Sequence, residues 1–431
     1  MALKNVNLVY PVNNLFCKIR LISLSFACLA TVSILAGCGS ANGDKNAKKD
    51  SVAIDLPAPG ALSKEEVQRL HNGCGAWYDS SLKNRGFNGG IVVAKKGNIV
   101  FEDYHGTAHL NGKDTITENT PFHIASVSKT FTAMAVLKLW QEGKLNMDDE
   151  LVKYFPNFNY PGVTIRNLLN HRSGLPNYVH FMEKMGWDKK KYVTNEDVLN
   201  YLVTRKGEIP NIARPETHFS YCNTNYALLA LLIEKVSGKK YAAFMQENIF
   251  SPLHMKNTFV FDTSMVQTVT PSYDWKGTEI GFTFLDAVYG DKNIYSTPKE
   301  LLTWDRALSS KQFLGDSTLQ QAYMPYSNEK PGVRNYGLGW RMNVYPSGKK
   351  MIYHNGWWHG NNAAFIRLLD EDATIIVIGN KFTRNVYHAK DMANLFGDYI
   401  SGEEEEEGES NRTPVAAPAK PKQKDQKKKK R

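Results

Sequence analysis

Ser126 and Lys129 stand three residues apart at the head of an apolar stretch, Ser126-Val127-Ser128-Lys129. On a helix that spacing puts both side chains on one face, within reach of each other. A serine hydroxyl is a weak nucleophile until a base takes its proton, and a lysine amine takes one only when uncharged. Burial disfavours the ammonium. The residues that follow (Phe131, Met134, Val136, Leu137, Leu139, Trp140) are apolar on nearly all sides, the pattern of a buried helix. Six Ser-x-x-Lys matches occur, at Ser80, Ser126, Ser237, Ser296, Ser327 and Ser347. The other five fall in surface-like helix, turn or hairpin sequence, so context singles out Ser126.

Two further clusters could serve such a pair. Tyr221-Cys222-Asn223 precedes a second apolar helix, and a phenol and a carboxamide two residues apart could relay protons and hold a substrate amide. Taken alone they read equally well as a helix cap, and Tyr-x-Asn recurs at Tyr326 and Tyr353. His354-Asn355-Gly356 closes a strand ahead of Trp357 and Trp358. A strand edge there could aim a backbone amide at a developing oxyanion, with glycine leaving room for substrate. That spelling also recurs, at His71-Asn72-Gly73 inside a predicted helix.

In chain order, Ser-x-x-Lys, Tyr-x-Asn and a basic residue-x-Gly resemble the serine β-lactamase and penicillin-binding protein superfamily. Three further stretches narrow this to the branch of class C β-lactamases, D-alanyl-D-alanine carboxypeptidases, D-aminopeptidases and related esterases. They are Thr120–Lys129, Leu168-Leu169-Asn170-His171-Arg172-Ser173-Gly174-Leu175-Pro176 and Tyr336-Gly337-Leu338-Gly339-Trp340. The resemblance runs from about Leu62 to Ile400. It implies an acyl-enzyme on Ser126, with Lys129 as its proton partner, Tyr221 as general acid/base and Asn223 holding the substrate amide. It places His354 where many members carry lysine and makes Gly356 an open floor. The backbone amides of Ser126 and Trp357 become the oxyanion hole. Either Lys129 or Tyr221 could be the acylation base. His354 and Trp357 depart from the groups that receive a substrate carboxylate in β-lactamases and carboxypeptidases, so small esters and amides lacking that carboxylate are the expected substrates. The segment around His171, Arg172 and Ser173 reads as structural.

The elements that must position these residues are legible in outline. Leu62 to Lys83 has helical periodicity, and Gly90 to Tyr104 reads as a hairpin turning at Lys96-Gly97-Asn98. Helices are expected at Ser126–Glu142, Ile165–Asn170, Asn223–Ser237 and Thr297–Leu308. Strands are expected at Gly337–Tyr345, Lys350–His354, Asn362–Leu369 and Thr374–Asn380, with a closing helix over Val386–Ile400. Strands near both ends of the chain predict an α+β fold. In the terms of the resemblance it is a β-lactamase/transpeptidase-like fold, an antiparallel sheet flanked by helices with an all-helical subdomain inserted.

Composition bounds the rest. The 431 residues are 42% hydrophobic and 22% charged, enough to bury a core over most of the length. The net charge of +10 dissolves once it is divided: residues 51–401 hold only 38 Lys and Arg against 34 Asp and Glu. With no zinc-finger spacing or basic aromatic stripe, nucleic-acid binding is not expected. Residues 1–37 read as a lipoprotein signal peptide, with Lys18 and Arg20 before an apolar run ending in Leu35-Ala36-Gly37-Cys38. Cys38 would carry the lipid and anchor the protein at the membrane of the cell envelope. Residues 38–60 read as a flexible tether, 61–401 as the hydrolase domain and 402–431 as a disordered charged tail. Cys74 and Cys222 are expected as packed free thiols. No metal-ligand spacing or phosphate-binding loop occurs, so no cofactor or metal is expected. The enzyme reading is an exported serine hydrolase acting on a D-amino-acid peptide or small ester. The alternatives are a β-lactamase and a non-catalytic penicillin- or wall-peptide-binding protein.

Overall fold

The structure is a computed structural model that describes residues 53–399. The signal-like segment, Cys38, most of the expected tether and the charged tail 402–431 lie outside the described residues. The last part of the expected tether is docked: Ile54 N–H donates to the Pro252 carbonyl (2.9 Å) and Gly60 N–H to that of Lys96 (2.8 Å). Ile54 and Leu56 pack on the main core, so the body begins before residue 61.

Helix α1 (Lys64–Ser81) starts where the Ser63 side chain accepts from Glu66 N–H, and it buries Leu70, Cys74 and Tyr78, one turn apart. Strands β1 (Gly89–Lys95) and β2 (Asn98–His105) form the expected hairpin. Its turn puts Lys96 at φ 49° and Gly97 at φ 75°, the left-handed pair whose twist suits a two-residue loop. Short strands β3 (Phe122–His123), β4 (Phe259–Val260), β5 (Ser272–Tyr273), β6 (Glu279–Ile280) and β7 (Ile294–Ser296) form two small sheets. Strands β8 (Arg334–Tyr336), β9 (Arg341–Val344), β10 (Lys350–Trp358), β11 (Asn361–Leu368) and β12 (Ala373–Gly379) complete the main sheet, ordered β2-β1-β12-β11-β10-β9-β8. The first hairpin thus pairs antiparallel with the last strand, in register from Gly89↔Gly379 to Lys95↔Ala373. β1, β11 and β12 read as near-continuous apolar runs because both sheet faces are covered.

One face carries α1 and the segment Arg384–Leu395. The other carries the helices: α2 (Ser128–Gln141), α3 (Ile165–Leu169), α4 (Tyr178–Lys184), α5 (Asn195–Thr204), α6 (Asn223–Ser237), α7 (Tyr241–Met245), α8 (Pro298–Ser309) and α9 (Asp316–Ala322). The α+β fold with its helical insertion is as expected. Every residue of α2 from Ser128 to Leu137 is buried, and α6 is buried from Asn223 to Ile233.

Two elements differ from expectation. The closing helix is a 3-10 helix ending at Leu395, in which Val386, Ala389 and Met392 are buried at intervals of three, the period of that helix. Of the strand expected over Gly337–Tyr345 only β9 forms; Gly337-Leu338-Gly339-Trp340 is a turn that links it to β8, which lies just before the expected range. Gly339, at φ 87°, presses on α2 so closely that a Cβ would lie 2.2 Å from that of Ala133. Only a glycine turn lets the chain reverse there.

Candidate active site

Ser126 sits in a single 3-10 turn, Ala125–Val127, that leads into α2. Ala125 before it has φ 49°, a left-handed conformation that residues with a Cβ adopt rarely and that concentrates at functional sites. The half-buried Ser126 hydroxyl has two partners. Lys129 Nζ donates to its Oγ at 3.1 Å and Tyr221 Oη at 2.9 Å. The Tyr221 contact joins the two helix starts across the core, where α2 packs on α6.

Lys129 is fully buried. Its Nζ also donates to Asn223 Oδ1 (2.9 Å) and to the Asp291 backbone carbonyl (2.7 Å). Both oxygens can only accept. A neutral amine satisfies them with two N–H groups and turns its lone pair to the Ser126 O–H, the arrangement a general base needs. An ammonium donates to all three. Of the six Ser-x-x-Lys matches only this one joins its own two ends. Lys83 and Lys299 pair with acidic side chains, Lys240 with Glu196 and Glu234, and Lys350 with the Tyr323 carbonyl.

The Tyr221 segment is held by a residue read as structural. His171 accepts the Ser220 N–H on its backbone carbonyl (2.9 Å) and the Cys222 N–H on Nδ1 (3.2 Å), bracketing Tyr221 from both sides. Its ring lies 4.4 Å from that of Tyr221. Burial, reinforced by the charge of Lys129, holds His171 neutral well below the usual histidine range. Ser173 Oγ donates to Asn225 Oδ1 (2.7 Å). Asn225 Nδ2 in turn reaches His171 Nδ1 (3.2 Å), so the expected structural segment is the scaffold of the phenol.

Strand β10 brings the third cluster. β9 pairs only with Lys350–Tyr353, so His354–Trp358 have β11 on one side and no strand on the other among the described residues. Three expectations are corrected here. His354 is fully buried; its Nδ1 meets the Asn355 carbonyl (2.7 Å) and its Nε2 meets Tyr336 Oη (3.2 Å). Burial, then the charges of Arg341 and Lys129, hold it neutral, so it does not stand in for the lysine cation. Gly356 does not open a floor for substrate. A Cβ there would lie 2.3 Å from the Ile124 carbonyl, so the glycine lets β10 close on the Ser126 segment. Side chains alternate along a strand, which turns Trp357 to the opposite face. Its ring packs on Phe382 (6.0 Å) and its Nε1–H donates to the His359 carbonyl (2.8 Å), so the indole is not what faces Ser126.

Sequence reading missed the cation that is present. Arg341 puts its guanidinium 5.0 Å from the centre of the Tyr221 ring, and Lys129 Nζ lies at 5.0 Å as well. The position is visible directly after Tyr336–Trp340, but a strand expected unbroken from Gly337 to Tyr345 hides the turn before β9. Cys74 and Cys222 are buried free thiols as expected, pushed up to about 12 and about 11 by burial. Among the described residues no group of three metal-ligating side chains is assembled, and no helix is long and apolar enough to cross a membrane.

Fold and site together define a serine hydrolase-type scaffold of the β-lactamase/transpeptidase kind. The family model described as Beta-lactamase matches residues 76–396, and the chain belongs to that family. It is 31% identical over 313 residues to penicillin-binding protein 4* of Bacillus subtilis (strain 168), an alignment covering 68% of each chain. It is 26% identical over 334 residues to protein flp of Staphylococcus aureus (strain N315), covering 72% of this chain but only 60% of that protein. The D-amino acid amidase of Ochrobactrum anthropi SV3, solved with L-phenylalanine amide, superposes with a TM-score of 0.62 at 24% identity. That superposition covers 76% of this chain and 97% of the other.

Proposed function

We propose that this chain is a serine hydrolase that works through an acyl-enzyme on Ser126. The observation that carries the reading is the meeting of Lys129 Nζ and Tyr221 Oη on one serine oxygen, at 3.1 and 2.9 Å. Either group is placed to take the hydroxyl proton as Oγ attacks a carbonyl and to return it to the leaving group. The first-turn amide of Ser126 and the Trp357 amide are the proposed oxyanion donors. Asn223, with its carbonyl on Lys129, sets that amine and offers its amide end to substrate.

The proposed substrates are D-amino-acid peptides or amides and small esters. Kinship with a penicillin-binding protein and the fold of a D-amino acid amidase support that class. β-Lactam hydrolysis is the second reading, favoured by the family match. Mass spectrometry of the intact protein after exposure to a penicillin, a D-Ala-D-Ala peptide and a p-nitrophenyl ester tests these readings. Adducts on Ser126 that turn over with ester or peptide support the first. Turnover confined to the penicillin supports the second, and no adduct with any of the three overturns both. We further propose lipid attachment at Cys38 and residence in the cell envelope. The protein should then fractionate with membranes, and Cys38→Ala should lose the lipid; a soluble mature form cut at another site would refute this.

A further inference from the structure

His123 lies three residues before Ser126, is buried, and has both ring nitrogens engaged. Its Nδ1 accepts the backbone N–H of Ala125 at 3.1 Å. Its Nε2 faces Asn293 Oδ1 at 3.0 Å, and because Asn293 Nδ2 donates to the Asp286 and Val288 carbonyls (2.6 and 2.9 Å), that oxygen is the accepting end. The proton therefore sits on Nε2. Burial holds the ring down to about 4, so Nδ1 is bare at neutral pH.

Both residues that His123 grips are in the left-handed region, Ala125 at φ 49° and Asn293 at φ 73°. One directly precedes the nucleophile. The other follows closely on Asp291, whose carbonyl holds Lys129 Nζ. The same stretch is tied down independently, since Ile294 N–H donates to Ser128 Oγ (3.1 Å) and Ile124 N–H to the Ile294 carbonyl (3.0 Å). One imidazole thus bridges the two strained backbone positions that flank the serine and its amine. A ring of the same shape without Nδ1 would pack on Tyr295, 5.1 Å away, but would leave the buried Ala125 N–H without its acceptor.

We propose that His123 is a positioning residue for acylation. Its Nδ1 holds Ala125 in the conformation that aims Ser126 Oγ between Lys129 and Tyr221, and its Nε2–H holds Asn293 and with it the Asp291 carbonyl. The proposal rests on Ser126 being the nucleophile, which labelling of the unmodified protein tests separately.

The experiment measures the second-order rate of labelling by a fluorophosphonate at neutral pH, alongside the melting temperature, in full-length variants. Asparagine can place an oxygen where Nδ1 stands; glutamine and phenylalanine cannot. His123→Asn should label within about threefold of the unmodified protein. His123→Gln and His123→Phe should label roughly ten- to a hundredfold more slowly, the scale of a small misplacement of reacting groups, with melting temperatures a few degrees below that of the Asn variant because the buried Ala125 N–H loses its acceptor. Equal rates in all three variants would overturn the proposal. If the Gln and Phe variants fail to fold, Ala125→Gly combined with His123→Gln decides, because glycine takes positive φ without a Cβ penalty. Recovery of folding and labelling in the double variant supports the role, and a double variant no better than His123→Gln refutes it. Failure of the unmodified protein to label would instead refute Ser126 as nucleophile.

Discussion

Two serines, one turn of chain and two different duties make the first test at the residue scale. Ser126 Oγ meets Lys129 Nζ and Tyr221 Oη, whereas Ser128 is buried and accepts the Ile294 N–H at 3.1 Å. Ser126→Ala should abolish fluorophosphonate labelling with the fold intact. Ser128→Ala should still label while losing about 1–3 kcal/mol of stability to an unsatisfied buried donor; labelling that survives in the Ser126 variant would sink the assignment. Charge is the second residue-scale matter. With His354 neutral and the Trp357 indole on the far face, Arg341 is the cation that stands with Lys129 at Tyr221. Arg341→Met should lower kcat/KM for a D-Ala-D-Ala peptide about ten- to a hundredfold more than for an uncharged ester, the worth of one charged hydrogen bond. Equal losses on the two substrates would show that Arg341 recognises no carboxylate. A larger loss on the peptide would replace the substrate expectation drawn from Trp357 alone.

At the scale of elements, the site depends on how closely β10 approaches the turn before α2. A Cβ at Gly356 would lie 2.3 Å from the Ile124 carbonyl and 3.2 Å from Ala125 Cβ. Backbone cannot yield as a flexible side chain does, so Gly356→Ala must push the strand and the Ser126 turn apart. Acylation should fall at least about tenfold, while urea unfolding still reports a cooperative sheet. A Gly356→Ala variant with unchanged kcat would show that this contact does not set the site. Expected and observed elements agree best where local pattern decides. α6 spans Asn223–Ser237 as expected, and the Lys96-Gly97 turn follows from two adjacent positive φ values. They disagree where tertiary packing decides. The Gly337–Trp340 turn forms because Gly339 docks on Ala133, and the closing segment tightens to a 3-10 helix to bury every third residue.

For the whole molecule, three histidines, His123, His171 and His354, are buried and neutral, with burial the first cause in each. Their ordinary value is 6.5. Between that value and the lower folded values, the unfolded chain binds protons that the folded chain refuses. Stability is therefore full above about pH 6.5 and is lost as pH falls below it, by about 1.4 kcal/mol per pH unit for each histidine. Urea midpoints at pH 8, 6 and 5 should fall steeply on the acid side, and His123→Asn should flatten the slope by about one histidine's share. A midpoint unchanged from pH 8 to pH 5 would contradict the burial of these rings.

The sequence by itself paired Ser126 with Lys129, because side chains three residues apart at a helix start share one face and that spacing is local. It also determined the largely apolar runs of β1 and β12, because a strand covered on both faces is mostly apolar. Tertiary structure alone decided the rest. It brought Tyr221 Oη to Ser126, the Asp291 carbonyl to Lys129 and His171 to the Tyr221 loop, contacts between residues far apart in sequence. It also buried His354 until it lost its charge, turned Trp357 to the opposite face and supplied Arg341 from the neighbouring strand. Residue type and spacing state which chemistry is available. Which face of a strand a side chain occupies, and whether an ionisable group keeps its proton, depend on register and burial, and those are properties of the assembled core.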